Sequence, residues 1–290
     1  MEANPVLLAI LAIQIGITLY NSVIRYPFKY NRGWVAVCVV VAALTGVMLL
    51  INPDYAGLFG FAAWVILVII PSLGTRYAMN MAAQGRYTRA IWISRMMRWL
   101  HPADNLLSMP DIIQAQAYEY AGDSVSAVKL LEQYRKHPQR WIYANTQIFR
   151  IKGQYQELIT WLDRNITAER YRRDPSLLQF YFYGLGSLGK LNEMVARFME
   201  YRSVLERVPA ELTYNYLLIF TNCGLPERVR QIFDSQYRNQ AEPLKAVWIA
   251  VAEIAAGNIE QGTLTLQQLA TSNNRIASGS AKRKLNDPVQ

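Results

Sequence analysis

Tyr118-Glu119-Tyr120-Ala121-Gly122-Asp123-Ser124-Val125-Ser126-Ala127-Val128-Lys129-Leu130-Leu131, followed by Pro138, carries one motif in complete form. Gly122 stands where a chain reverses between two helices, a place that needs unusual backbone angles. Ala127, five residues on, lets two helices approach closely, and Leu131, nine residues on, fills the groove between them. Val125, Val128, Leu131 and the ring of Tyr134 recur at helical spacing. Ser126, Lys129, Glu132 and Gln133 lie on the opposite side, so the pattern predicts a helix over 124–134. Pro138 marks where such a helix must stop.

Outward from this segment the motif recurs. Glycines stand at Gly85, Gly122, Gly153, Gly189, Gly224 and Gly257, with intervals of 37, 31, 36, 35 and 33 residues. Five residues after each come Ala90, Ala127, Leu158, Met194, Val229 and Gly262; nine after come Ser94, Leu131, Leu162, Phe198, Phe233 and Leu266. Pro102, Pro209 and Pro243 fall near the ends of other units. A helical pair repeated every ~34 residues is the tetratricopeptide (TPR) pattern. The later units replace the typical Ala with Leu158, Met194 and Val229, which weakens that label but not the helical hairpin. No alternating strand pattern of useful length occurs. The reading is all-α, with a TPR-like helical-repeat solenoid over 76–272 and a basic, unstructured tail over 273–290. Solenoids expose a long concave face that binds proteins or peptides. The candidate face residues are Tyr118, Gln147, Tyr181, Tyr183 and Tyr214; the alternative is that these tyrosines pack between repeats with only their hydroxyls wet.

The first quarter of the chain differs in kind. Hydrophobic residues make up 52% of the 290, yet mean hydropathy is near neutral, so apolar residues must be concentrated somewhere. Three runs, 5–24, 34–51 and 55–73, contain no Asp, Glu, Lys or Arg and approach the ~20 residues that a membrane span requires. Residues 1–75 are therefore read as a three-span anchor in the lipid bilayer. Arg25, Lys29 and Arg32 follow the first run, Asn52-Pro53-Asp54 carries no basic residue, and Arg76, Arg86, Arg89, Arg95 and Arg98 follow the third. Basic flanks stay inside, which predicts an outside N-terminus and a cytoplasmic repeat domain in a plasma, inner or thylakoid membrane. A cleaved signal peptide would need basic residues before the first run; Met1-Glu2-Ala3-Asn4 supplies none. Ala42 with Gly46, and Ala56 with Gly60, are small-residue pairs that permit close helix packing.

The formal net charge of +9 is read as membrane-flank charge. No nucleic-acid motif accompanies it, so nucleic acid is not an expected partner. Cys38 and Cys223 lack CxxC partners and read as buried thiols. His101 and Asp104 stand close enough in sequence to share a proton or a metal, but a metal needs more ligands than these. Asn165-Ile166-Thr167 matches a glycosylation acceptor that a cytoplasmic domain leaves idle. The Ser278-Gly279 pair lies in the polar tail with no histidine nearby. There is no Walker loop, dinucleotide fingerprint or GxSxG elbow. The expectation is a protein without catalytic residues, metal or cofactor, and the uncharged spans disfavour an ion-coupled transporter.

The opening Met1-Glu2-Ala3-Asn4-Pro5, the segment Arg98-Trp99-Leu100-His101-Pro102-Ala103-Asp104 and the order of spans before repeats resemble the N-terminal extension of rhomboid-family intramembrane serine proteases of the cyanobacterial type. Lys284-Leu285-Asn286-Asp287-Pro288 looks like the linker before the protease core in that family. That activity needs a GxSG serine and a histidine on membrane spans, and the apolar runs here hold neither. The resemblance thus implies an extension without its core, stand-alone or from a split or shortened gene, with a separate rhomboid-type core as a possible partner.

Overall fold

The computed structural model describes residues 3–20, 32–102 and 104–286. Arg25, Lys29, the expected end of the first apolar run at 21–24, Ala103, the side chain of Asp104 and residues 287–290 lie outside the described residues. The protein is all-α, with no strand among the described residues. Its helices are α1 (Ala3–Leu19), α2 (Arg32–Ile51), α3 (Pro53–Trp64), α4 (Ile70–Ala83), α5 (Tyr87–Leu100), α6 (Asp104–Tyr120), α7 (Ser124–Glu132), α8 (Trp141–Ile151), α9 (Tyr155–Asn165), α10 (Ala168–Arg173), α11 (Leu178–Ser187), α12 (Leu191–Leu205), α13 (Pro209–Asn222), α14 (Pro226–Ser235), α15 (Glu242–Ala255), α16 (Ile259–Ala270) and α17 (Arg275–Asn286). The chain divides into two compact units, residues 1–117 with 133–141, and residues 118–132 with 142–290.

In the first unit, α2 and the continuous helix Pro53–Ala83, which joins α3 to α4 through a π-turn at Val65–Ile69, are long and apolar enough to cross a membrane. The described part of the first run, α1, is apolar but has 17 residues. The boundary expected near Thr75 falls inside a helix. There the composition turns polar while the backbone does not break, and the Thr75 hydroxyl donates back to the Pro71 carbonyl at 2.7 Å. Helices α1, α2 and α3 pack on one another around Leu11, Val37, Cys38, Val41, Trp64 and Val68. Asn4 ties α1 to the start of α3, donating to the Pro53 carbonyl (2.6 Å) and accepting from the Gly57 amide (2.5 Å). Of the two small-residue pairs, Ala56/Gly60 is at an interface: a Cβ on Gly60 would run into the Thr45 hydroxyl and come within 2.7 Å of Leu11. Ala42 is exposed and Gly46 faces open space, so that pair brings no helices together.

His101 ends α5, fully buried, with its ring 4.2 Å from that of Trp34. Burial pushes its imidazole down to about 4. An unfolded histidine titrates near 6.5, so between pH 6.5 and about 4 the unfolded chain takes up the proton that the native state refuses. Stability of this unit should therefore fall with pH across that window, by at most ~1.4 kcal/mol per pH unit, and be unaffected by this group above it. His101→Phe, which keeps a ring against Trp34, should flatten the pH 7 to pH 5 decline in thermal midpoint; an unaltered decline would assign it to other groups.

The six glycines share one geometry. All have positive φ, from 66° to 95°. After each, the next amide donates to the carbonyl five positions earlier: Arg86 to Met81, Asp123 to Tyr118, Gln154 to Phe149, Lys190 to Leu185, Leu225 to Phe220 and Asn258 to Glu253, at 2.9–3.0 Å. This is the Schellman C-cap, which stops a helix where glycine can turn left-handed. The residues five and nine beyond each glycine, from Ala90 and Ser94 to Gly262 and Leu266, are all buried. Within the second unit α11 packs on α9, α12 and α13, α13 on α14 and α15, and α15 on α16 and α17.

The region 273–290, expected without structure, holds α17. Asn274 caps it by accepting from the Ala277 amide (3.0 Å), and Arg283 and Lys284 occupy the last turn, where cations complement the helix dipole. Ala277 and Ala281 are buried with Leu244, Val247, Ala250 and Leu266. Cys38 is buried and Cys223 half-buried, both as free thiols.

Candidate functional site

The polar centre of the second unit is Glu119, buried at the end of α6. Arg150, from α8, meets its carboxylate at 2.5 Å, and Arg283, from α17, pairs with its other oxygen. Two half-buried guanidiniums on one carboxylate offset the cost of burying Glu119, which an isolated charge would not survive. Around this triad the aromatic residues converge. The Arg150 guanidinium lies 6.0 Å from the Tyr183 ring centre, the Arg283 guanidinium 5.7 Å from that of Tyr120, and the Lys284 ammonium 5.8 Å from that of Tyr183. Tyr214 meets Trp248 edge-on at 6.2 Å. Burial raises the Tyr120 and Tyr214 hydroxyls above the ordinary phenol range, Arg150 pulling the other way on both. They stay neutral at physiological pH.

Of the five residues expected on one face, three belong here. Gln147 accepts from Arg150 Nε at 2.7 Å, Tyr183 takes the two cations, and Tyr214 lies within electrostatic reach of Tyr120, Tyr183 and Arg150. Tyr118 is half-buried, and its carbonyl takes the amides of Ala121 and Asp123 in the Gly122 turn. Tyr181 does not belong. It is buried, donates to Asp163 at 3.0 Å, and lies under Arg197 in a cavity of about 200 Å³ with Tyr171, Glu200 and Tyr201. Tyr181 and Tyr183 are two residues apart on one helix, about 200° around its axis, so they cannot share a face.

Glu119, Arg150 and Arg283 were absent from the expected set. A signal for two of them exists in the sequence: Glu119 and Arg150 each stand three residues before a turn glycine, Gly122 and Gly153, as Gln147 and Tyr183 each stand six before Gly153 and Gly189. Equivalent positions before consecutive turn glycines carry opposite charges that pair. Chemically, the arrangement holds cations by one carboxylate and several ring faces. Among the described residues no group of three His, Cys, Asp or Glu is placed to hold a metal ion.

No protein-family model, curated protein or solved structure matches this chain.

Proposed function

We propose that this chain is a membrane-tethered protein-interaction module without chemistry of its own: three N-terminal spans with the N-terminus outside, and a cytoplasmic TPR-like stack of hairpins that binds a protein or peptide on the face containing Gln147, Tyr183 and Tyr214. The observation that carries the reading is the sixfold recurrence of one left-handed turn with buried residues at the same two offsets. A row of such units is the architecture that presents a continuous binding face.

Exposure supports the tether. Val6, Ile10, Ile13 and Ile17 on α1 and Val39, Val40, Val47 and Leu50 on α2 are exposed, although these helices also have an apolar packed side. A helix apolar on both sides suits a bilayer. On α5, Trp92, Met96 and Trp99 are exposed at helical spacing, interspersed in sequence with Arg89, Arg95 and Arg98, a mixture favoured at the membrane–water boundary.

The likeness of the Arg98–Asp104 segment to the rhomboid-type extension favours a second reading, in which the module recruits substrate for, or regulates, a separately encoded protease core. Affinity capture of the intact chain from detergent-solubilised native membranes distinguishes the two. The module reading expects protein partners that are depleted about tenfold by Tyr183→Ala with helicity unchanged. A co-purifying multi-span protein bearing GxSG would move the assignment to the second reading. A partner set indifferent to Tyr183→Ala would remove the proposed face.

A further inference from the structure

The helix α17 is set into the second unit more deeply than end-packing requires. Of its twelve residues only Arg275, Lys282 and Asn286 are exposed, whereas a helix resting on the flank of α15 and α16 would leave about half its circumference in water. One side, through Ala277 and Ala281, packs against α15 and α16. Another side meets the helices that end at the glycine turns. Gly279 lies so close to Tyr120 that a Cβ there would come within 2.6 Å of the Tyr120 carbonyl oxygen and 3.0 Å of its Cα. Four residues further on, one helical turn away, Arg283 pairs with Glu119, and Lys284 lies against Tyr183.

These contacts are those of a ligand in a site. A glycine admits the helix backbone to the floor, an arginine one turn later finds the only acid of the triad, and a lysine beside it finds a ring. Apart from these contacts, α17 is joined to the unit by an apolar seam with α15 and α16.

We propose that the face around Glu119, Tyr120, Tyr183 and Tyr214 is a receptor for a basic helix with a Gly-x-x-x-Arg-Lys pattern, and that α17 occupies it in cis. The inference rests on the interaction-module reading and names its ligand class. A partner helix with that pattern must displace α17 to bind. Because α17 is tethered, its local concentration is of millimolar order, and its occupancy lowers the apparent affinity for any competing helix in proportion to the fraction of empty sites.

The probe is a fluorescein-labelled peptide of residues 273–286, titrated by anisotropy into the full chain in detergent. Two variants empty the site. Gly279→Leu keeps α17 a good helix former but cannot seat against Tyr120, and Arg283→Glu opposes Glu119. Hydrogen exchange over 275–286 reports release, and circular dichroism reports the fold. Both variants should lose protection in α17 and bind the peptide about tenfold more tightly than the unaltered chain; a peptide carrying Gly279→Leu should bind neither. Protection retained in both variants overturns the proposal, because the seat then does not depend on these residues. So does equal peptide binding to all three chains, or none to chains whose α17 is released. Any of these failures leaves the module reading standing, since that reading is tested by its own dependence on Tyr183 in native membranes.

Discussion

Replacing Glu119 by alanine should destabilise the second unit by about 3 kcal/mol. Removing one partner of a buried ion pair leaves the other uncompensated, at a cost of ~3–5 kcal/mol; here two guanidiniums are stranded, and their partial exposure lowers the figure through solvent screening. Glu119 itself is buried, so water cannot take its place without reorganisation. The loss should appear first as faster hydrogen exchange in α8 and α17, which the carboxylate joins, with residues 3–100 unaffected. Glu119→Gln keeps the shape and one acceptor and should recover part of the loss. Unchanged exchange in α8 and α17 after Glu119→Ala would mean that the triad contributes packing rather than charge pairing.

The turn glycines should differ among themselves by more than their shared backbone angle explains. A non-glycine residue pays about 1–2 kcal/mol to enter the left-handed region, and asparagine pays least because its side chain bonds locally. Gly189, at φ 66°, has open space where a Cβ would go, so Gly189→Asn should cost little. Gly224 has the same φ, but its Cβ would lie 2.7 Å from the Ala256 amide nitrogen and 2.8 Å from the Ala255 carbonyl. Backbone cannot step aside as a side chain can, so Gly224→Asn adds an overpacking cost of about 1–3 kcal/mol and should separate α13–α14 from α15. Comparing the thermal midpoints of the two variants in detergent decides it: similar midpoints would show that the neighbouring turn yields freely.

The six turns were legible because a left-handed C-cap is a local demand that glycine alone meets cheaply, and it recurs in the sequence with its buried residues at fixed offsets. The apolar helices were legible for a similar reason, since charge-free runs need no partner to be recognised. The proposed face is legible only in part. Residue type alone groups Tyr181 with Tyr183, although the helix turns them to different sides. The register relative to each glycine, which aligns Glu119 with Arg150 and Gln147 with Tyr183, carries that information better. Helix α17 reads as tail because its apolar seam, Ile276, Ala277, Ala281 and Leu285, is short and half alanine; close approach at Gly279 and the ion pair of Arg283 add to its burial, and hydropathy registers neither. Thr75 marks a change of composition inside an unbroken helix, so composition located a chemical boundary and not a structural one.

The most direct test of the face and of its occupant is a photo-crosslinker, p-benzoylphenylalanine, in place of Tyr183 in the full chain, irradiated in its native membrane and mapped by mass spectrometry. The account predicts a crosslink within the same chain to residues 275–286, abolished by Gly279→Leu and replaced by a crosslink to a bound protein. A folded chain in which position 183 never reaches 275–286 would contradict it.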